Sequence, residues 1–168
     1  GATTIGPYSK VGGEVNNCMI QGYSNKGHDG FLGNAVLGEW CNLGADTNNS
    51  NLKNNYQSVD IYNYSEEKYV DTELQFCGLI MGDHSKSAIN TMFNTGTVVG
   101  VSANIYGADF PSKFIPSYSW GGRKPLEYKF EKAMDTAKRV MERRNISLTE
   151  EDLEILKTVY DLSQKFRK

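Results

Sequence analysis

A six-residue repeat is the feature that most constrains the fold of this chain. From position 81 the sequence reads MGDHSK, SAINTM, FNTGTV, VGVSAN and IYGADF, and an earlier block reads FLGNAV, LGEWCN and LGADTN. Most hexads start with an apolar residue and carry a small residue four places later. The leading residues are Phe31, Leu37, Leu43, Met81, Ser87, Phe93, Val99 and Ile105, and the small residues are Ala35, Cys41, Thr47, Ser85, Thr91, Thr97 and Ala103. The pattern begins earlier, at Ile5 and Val11.

The repeat predicts short strands joined by tight corners. The apolar leader and the small partner point into a narrow prism, which has little room for a second large side chain. Gly or Asn is expected at the corners, where positive φ is often needed. Three hexads then close one triangular coil of about 18 residues. A β-sandwich, the alternative, predicts irregular spacing of about 8–12 residues, which the hexads disfavour.

This repeat resembles the hexapeptide-repeat family, whose fold is the left-handed parallel β-helix, an exception to the right-handed crossover rule. The resemblance covers most of residues 5–122. It implies the fold more strongly than the function, because such repeats occur in acyltransferases, zinc carbonic anhydrases and non-catalytic oligomerisation modules. The zinc enzymes need three histidine ligands, and this chain has two histidines. We therefore expect no metal site.

The composition changes after residue 122. All 17 glycines lie before that point. Residues 1–122 carry 6 basic and 11 acidic residues, whereas residues 123–168 carry 12 basic and 9 acidic ones. We therefore divide the chain into a β-helix, acyltransferase-like domain at 1–122 and a helical hairpin at 123–168, which we expect to cap the open end of the prism.

Helical spacing in the tail predicts two helices. The first, over about 125–144, has Pro125 in its first turn and an apolar stripe made of Leu126, Phe130, Met134, Ala137 and Met141. The second, over about 149–166, follows a capping box at Ser147–Glu150 and has a stripe made of Ile155, Val159, Leu162 and Phe166.

Charge and apolar content bound the partners. The net charge of −2 argues neither for nor against nucleic acid. We interpret the basic residues of the tail as a solvated face and expect no nucleic-acid partner. No apolar run approaches the roughly 18 residues of a membrane helix, so we expect no membrane span. Three cysteines without paired spacing favour a reducing compartment, the cytoplasm, over a disulfide framework. Cys41 is interpreted as a small inward residue.

The repeat is interrupted between Leu43 and Met81. The polar, tyrosine-rich segment 48–73 predicts a coil with an extruded loop. Such excursions often carry ligand contacts, and the alternative is a plain solvent loop.

Two motifs carry the functional signal. Ser24, Gly27, His28 and Gly33 form the first, and Asn42, Gly44, Ala45, Thr47 and Asn51 form the second. Together they resemble the C-terminal acetyltransferase part of bifunctional sugar-1-phosphate nucleotidylyltransferase/acetyltransferases, which join a glucosamine-1-phosphate acetyltransferase to an N-acetylglucosamine-1-phosphate uridylyltransferase.

The resemblance implies roles for several residues. His28 falls on the catalytic base and Ala45 on a backbone contact to acetyl-CoA. Asn51, the second catalytic candidate, falls on a residue that contacts the amino sugar and helps hold the site. Lys26 or Lys53 could contact the sugar phosphate, although neither aligns cleanly with the lysines of the family. Phe31 and Asn42, at motif positions, complete the candidate substrate contacts.

The implied chemistry is direct acetyl transfer to an amine, with acetyl-CoA as co-substrate and no metal. An imidazole with a pKa near 6.5 can accept the amine proton at neutral pH, which is worth roughly 10²–10⁴-fold in rate. Backbone N–H groups near Asp46 or Asn51 are candidates for the oxyanion.

The chain also departs from the family pattern. Phe31 stands where the family has Tyr, Asp46 where it has Gly, and Leu52 where bacterial members have Tyr. These departures leave open whether His28 is a base or a structural residue. They also favour a second hypothesis, a non-catalytic trimerisation and regulatory domain. Acetylation of another small amine is a third.

Two further segments are candidates for cofactor contact. The polar corner Gly82–Ser85 contains Asp83 and His84, which we expect to be exposed; it is either a plain corner or a cofactor or acceptor contact, with Asp83 the cofactor-binding candidate. Arg123 and Lys124, in the junction after Gly122, either flank a hinge or meet the phosphates of coenzyme A.

The resemblance also implies the assembly and the pathway. It implies a homotrimer with sites between neighbouring prisms, and the acetylation of glucosamine- or galactosamine-1-phosphate for the UDP-N-acetyl sugars of cell-envelope glycans. A nucleotidylyltransferase domain, with its Mg²⁺, is expected upstream of this sequence.

Overall fold

The computed structural model describes residues 1–167, which form a parallel β-solenoid followed by two helices. The first nine strands are β1 (Thr4–Ile5), β2 (Lys10–Val11), β3 (Glu14–Asn16), β4 (Met19–Ile20), β5 (Asn25–Lys26), β6 (Phe31–Gly33), β7 (Val36–Leu37), β8 (Asn42–Leu43) and β9 (Asn48–Asn49). The next ten are β10 (Asp60–Asn63), β11 (Lys68–Asp71), β12 (Ile80–Met81), β13 (Lys86–Ser87), β14 (Met92–Phe93), β15 (Val98–Val99), β16 (Asn104–Ile105), β17 (Phe114–Ile115), β18 (Ser119–Trp120) and β19 (Leu126–Glu127). The helices are α1 (Phe130–Glu142) and α2 (Glu150–Leu162), and a 3₁₀ turn follows at Gln164–Phe166.

The strands stack into the three faces of a prism. Face A consists of the parallel strands β1, β4, β7, β12, β15 and β17. Face B consists of the parallel strands β2, β5, β8, β13, β16 and β18, and β19 pairs antiparallel with β18 at its end. Face C contains the parallel pairs β3–β6 and β9–β14. Each coil contributes one strand to face A, so the predicted parallel β-helix with two C-terminal helices is confirmed.

The inward positions form continuous columns from coil to coil. On face A the register aligns Ile5, Ile20, Leu37, Met81, Val99 and Ile115. All but the first are buried, whereas Ile5 is 46% exposed, because no further described coil covers the first one. Adjacent strands lie about 4.8 Å apart, so each inward side chain rests directly on the one in the next coil.

The six-residue period correctly predicts most of the core. From Leu37 onward every predicted leader is buried, as are all the small partners that the pattern indicated. The earlier leaders differ: Ile5 and Val11 are exposed in the first coil, and Phe31 is only partly buried while its neighbour Leu32 is 1% exposed. Leu32 pairs with Val15 in β3, which sets the inward phase of this strand one residue later than predicted. Phe31 therefore points outward from face C.

The corners follow the prediction on only two edges of the prism. Gly, Asn or Asp takes positive φ at the corners between faces B and C and between faces C and A, for example at Gly13, Asp46 and Asn34. The A/B edge is different, because large residues adopt positive φ there. Its corner residues are Tyr8, Tyr23, Trp40, His84, Ser102 and Tyr118. A left-handed conformation costs roughly 1–2 kcal/mol for such residues, and stacking of the first four rings on one another offsets part of that cost.

The helical hairpin lies along the A/B edge rather than capping the open end of the prism. The Tyr118 hydroxyl donates to the carbonyl of Leu156 at 2.7 Å, and the Arg144 guanidinium reaches Asn25 in the second coil. Helix α1 therefore runs back along the solenoid toward the second coil, and α2 returns toward the last one. The edge of face B at the last coil is instead covered by β19.

The pairing of β19 explains why α1 begins later than predicted. Leu126 and Glu127 satisfy the free edge of β18, and α1 starts only at Phe130. Leu126 is consequently 71% exposed and does not belong to the helical stripe. Met134, Ala137 and Met141 are buried, as the stripe predicted.

The second helix begins where predicted, at Glu150, but its capping box and its inner face differ from the prediction. The N-cap is Thr149, whose hydroxyl accepts from the N–H of Asp152, while the Asp152 carboxylate accepts from the N–H of Thr149. This capping box lies two residues after the predicted one, and it turns Leu156 inward while leaving Ile155 63% exposed.

The predicted excursion between Leu43 and Met81 is confirmed as an antiparallel hairpin, β10–β11, that leaves the solenoid after β9. Tyr62 stacks on Phe114 of β17 with ring centroids 3.7 Å apart. The excursion therefore folds back on face A, away from His28.

The phase of α2 generates a stability prediction. Leu156→Ala should lower the free energy of unfolding by about 2–5 kcal/mol because it leaves a cavity between α2 and the prism. Ile155→Ala, the matched control one residue away, should change it by less than about 0.5 kcal/mol. Urea unfolding of both variants measures the difference, and a larger loss in Ile155→Ala would mean that the helix is rotated.

Candidate functional site

His28 lies at the B/C corner of the second coil, directly after β5, and its side chain is exposed. The backbone around it is fixed from inside the prism. The Lys26 ammonium donates to the carbonyl of His28 at 2.6 Å and to the carbonyl of Gly12 at 2.9 Å. The imidazole is thus presented to solvent from a corner that its own core holds in place.

Lys26 occupies an inward position and is 1% exposed. Burial lowers the pKa of its ammonium, and the carboxylates of Asp29 and Asp46 partly oppose that shift. The long aliphatic stem fills space where other coils carry an apolar leader. The structure therefore places Lys26 beneath the candidate site instead of at its surface, where a sugar phosphate would bind.

The next coil stacks its own corner on that of His28. The Asp46 N–H donates to the carbonyl of Asp29 at 3.1 Å, and the Ala45 carbonyl accepts from the N–H of Asn90 at 2.8 Å. The Ala45 N–H makes no hydrogen bond within residues 1–167. Ala45, not Asp46, therefore offers a free backbone donor one coil, about 4.8 Å, from the His28 corner.

Asn51 lies toward the other edge of face C, whereas Phe31 starts β6 beside the His28 corner and extends its ring along the face toward Asn51. The Asn51 amide donates to Asn34 Oδ1 at 2.7 Å. A methyl group on Gly33 would collide with both the Phe31 ring and the Asn51 amide, so these two side chains cover the same glycine. Within one chain the width of face C separates Asn51 from the corner that carries His28.

The remaining substrate candidates lie on different surfaces. Asn42 is exposed on the outer side of face B, one coil above Asn25. Lys53 follows β9, and its ammonium pairs with the Asp60 carboxylate at 3.2 Å. The structure thus brings Asn42 to the same face as the His28 corner and places Lys53 beside the excursion.

The three cofactor candidates outside the motifs are dispersed. Asp83 lies at the A/B corner of a later coil, where its carboxylate accepts from the N–H of Glu39 at 2.8 Å. Arg123 and Lys124 follow β18 at the far end of the prism, and Arg123 pairs with Asp109. Four coils, about 19 Å of stacking, separate this end from the coil of His28.

His84 is at a corner, as predicted, but it is largely buried because α1 lies over it. Burial, helped by the Lys86 ammonium and opposed by Asp152, lowers the pKa of His84 to about 4. Its Nδ1 and the Ser102 hydroxyl are both buried without a hydrogen-bond partner among residues 1–167. Both residues line a cavity of about 20 Å³ under α1, which has room for one water molecule.

The sequence contains a signal for this buried edge that the six-residue analysis missed. Each residue of the A/B corner stands three places after an inward residue of face A, as Tyr23 follows Ile20 and His84 follows Met81. When the coils are aligned on their inward residue of face A, the aromatic residues and His84 fall in one column three places later.

Cys41 is inside the prism, 1% exposed, as predicted. Burial raises the pKa of its thiol to about 12, and the Sγ atom lies 3.2 Å from the carbonyl of Gly82. All three cysteines are free thiols. The protonated, buried Cys41 thiol has the character of a core residue and not of a nucleophile.

Comparison with known proteins places these motifs in context. No protein-family model matches the chain. Over 87 residues, 52% of its length, the chain is 32% identical to the Bifunctional protein GlmU of Methanococcus aeolicus. Over the same length it is 32% identical to the Bifunctional protein GlmU of Methanocaldococcus jannaschii. The chain resembles a GlmU β-helix domain.

The GlmU resemblance has a limited extent. The matched segment spans 20% and 21% of the two relatives, respectively.

Within residues 1–167, no helix is long and apolar enough to cross a membrane. That same part of the chain contains no group of three or more His, Cys, Asp or Glu side chains placed to hold a metal ion.

The buried His84 predicts acid sensitivity. Its folded-state pKa lies below its ordinary value, so the neutral ring stabilises the fold above pH 6.5 and this contribution is lost as the pH falls toward 4. The free energy of unfolding should fall between pH 7 and pH 4 by up to about 3 kcal/mol more in the parent chain than in His84→Asn. Asn tolerates the positive φ of this corner and does not titrate. Parallel pH dependence in urea unfolding of the two proteins would contradict this prediction.

Proposed function

We propose that this chain transfers the acetyl group of acetyl-CoA to the amine of a hexosamine-1-phosphate, either glucosamine- or galactosamine-1-phosphate. The observation that carries the proposal is the exposed His28 imidazole, held at its corner by Lys26 and set in the two motifs shared with the family. The product would enter the synthesis of UDP-N-acetyl sugars for the cell envelope, in the cytoplasm.

The chemistry needs one base and one oxyanion donor. The sugar nitrogen attacks the thioester carbonyl, a C–N bond forms, the C–S bond breaks, and coenzyme A leaves as the thiol. His28 accepts the proton that the amine sheds, and it can return that proton to the departing sulfur. The free N–H of Ala45 is the candidate donor for the developing oxyanion. No protein nucleophile and no metal take part.

A complete site requires a neighbouring subunit. His28 and Asn51 lie at opposite edges of face C, and around a three-fold axis the Asn51 edge of one prism can meet the His28 edge of the next. Apolar surface beside the Asn51 edge supports such an association, since Met19 and Val36 on face A are 51% and 39% exposed. We propose a homotrimer on this basis.

The acetyl-CoA contacts remain a proposal as well. Ala45 is close to the His28 corner, whereas Asp83, Arg123 and Lys124 would reach a bound coenzyme only from another protomer or along an extended ligand. The nucleotidylyl transfer that the resemblance implies, with its Mg²⁺, would belong to a separate upstream domain.

Acetyl transfer can be measured by thiol release in the presence of acetyl-CoA and each hexosamine-1-phosphate. His28→Ala should lower the rate at least a hundredfold, because the general base is removed. His84→Asn, which removes the other histidine of the chain, should keep the parent rate at pH 7.5. Equal rates for His28→Ala and the parent would reject His28 as the base.

A non-catalytic trimerisation and regulatory domain is the second candidate. Phe31 offers no hydroxyl to a substrate, and Leu52 is part of a β-bridge with Phe76 instead of carrying a tyrosine. This function predicts no thiol release with either sugar phosphate or with a panel of other small amines, from a protein that is trimeric by light scattering. Release with any other amine, but not with the sugar phosphates, would identify a different acceptor.

A further inference from the structure

A cavity of about 280 Å³ lies where the end of α1 meets the first three coils. We call it the hairpin cavity, and it is formed by Lys10, Tyr23, Asn25, Trp40, Val140, Arg143 and Arg144. The prism contributes four of these residues, and the end of α1 with the turn that follows it contributes three. None of them belongs to the residues assigned to acetyl transfer.

The polar groups that line the hairpin cavity are almost all donors. The Lys10 ammonium, the Arg143 guanidinium, the Tyr23 hydroxyl and the Trp40 indole N–H make no hydrogen bond to any group in residues 1–167. The Arg144 guanidinium contacts Asn25 Oδ1 at 3.5 Å, which occupies the one amide acceptor and leaves the amide N–H groups free. No acidic residue lines the cavity.

The three cations are also unpaired. The ion pairs formed within residues 1–167 join other residues, such as Lys157 with Asp161, and none involves Lys10, Arg143 or Arg144. The negative end of the helix dipole accounts for Arg143 and Arg144 at the end of α1. It does not account for Lys10, which comes from β2 on the prism. Cations from two separate elements therefore converge on one space, and their mutual repulsion favours an anion there.

We propose that the hairpin cavity binds a phosphate group. Phosphate presents only acceptor oxygens, which match the donor lining, and guanidinium groups bind it with two parallel hydrogen bonds. The volume is near the lower limit for small-molecule pockets, so it holds a phosphate with a small attached group and not an entire coenzyme. The phosphate source is either a small phosphate ester, such as a sugar phosphate, or the phosphates of coenzyme A.

The proposal does not depend on the acetyltransferase function. Asn25 precedes His28 by three residues, so a phosphate held in the hairpin cavity would lie on the same face as the His28 corner. The two proposals can nevertheless fail separately, because phosphate binding uses none of the chemistry of His28.

Titration calorimetry of the chain at low ionic strength tests the proposal, with inorganic phosphate, glucosamine-1-phosphate, coenzyme A and adenosine as separate probes. At least one phosphate-bearing probe should bind, and adenosine should not. Affinity should fall with added salt. The double variant Arg143→Gln/Arg144→Gln should bind at least tenfold more weakly, because two charge-assisted contacts are lost.

The matched control is Arg139→Gln, which removes an exposed charge from the last turn of the same helix, outside the cavity. It should bind like the parent. Tighter binding of coenzyme A than of glucosamine-1-phosphate, with the same sensitivity to the double variant, identifies the coenzyme as the source; the reverse order identifies the ester. Absence of heat with every phosphate probe overturns the proposal, as does equal weakening by Arg139→Gln and the double variant. Thermal unfolding of each variant shows that it is folded.

Discussion

The narrow interior of the prism is the constraint on which the rest of the structure depends. Each face admits one large inward side chain per strand, and stacking about 4.8 Å apart places these side chains in contact along the whole solenoid. Lys26 shows how strictly the rule applies, because even a lysine at an inward position is buried and its ammonium must find carbonyl partners. Those partners include His28, so the packing of the core also fixes the corner that presents the candidate base.

The A/B edge links the solenoid to the hairpin. Five of its six corner residues carry large side chains at positive φ, a conformation that glycine adopts more easily. Tyr118 illustrates what this arrangement supports, since its ring is fully buried and its hydroxyl contacts α2. The A/B edge thus forms the surface on which both helices lie, and α1 in turn covers His84 and borders the hairpin cavity.

Stacking brings together residues of successive coils at one corner, but the candidate active site also needs residues from two different corners. The solenoid places the two motifs on neighbouring coils, with His28 at the B/C corner and Asn51 beside Asn34 at the C/A edge, so the width of face C separates the two residues within one prism. A second prism supplies the missing edge in the arrangement that we propose. Leu52 is adjacent to Asn51, and the Phe31 ring covers the same glycine as the Asn51 amide, so both departures from the family pattern border Asn51.

The sequence by itself determined the parallel solenoid, most of its inward residues, the excursion after β9 and the two helices, because a period of six leaves one way to bury its apolar positions. It also singled out His28, since local motifs need no long-range information. Only the tertiary structure decided that Leu32 replaces Phe31 in the core, that Leu126 and Glu127 extend face B, that the hairpin lies along the A/B edge, and that Lys26 and His84 are buried. Each of these depends on which strand edge or surface the rest of the chain leaves free, and the period of six does not specify that.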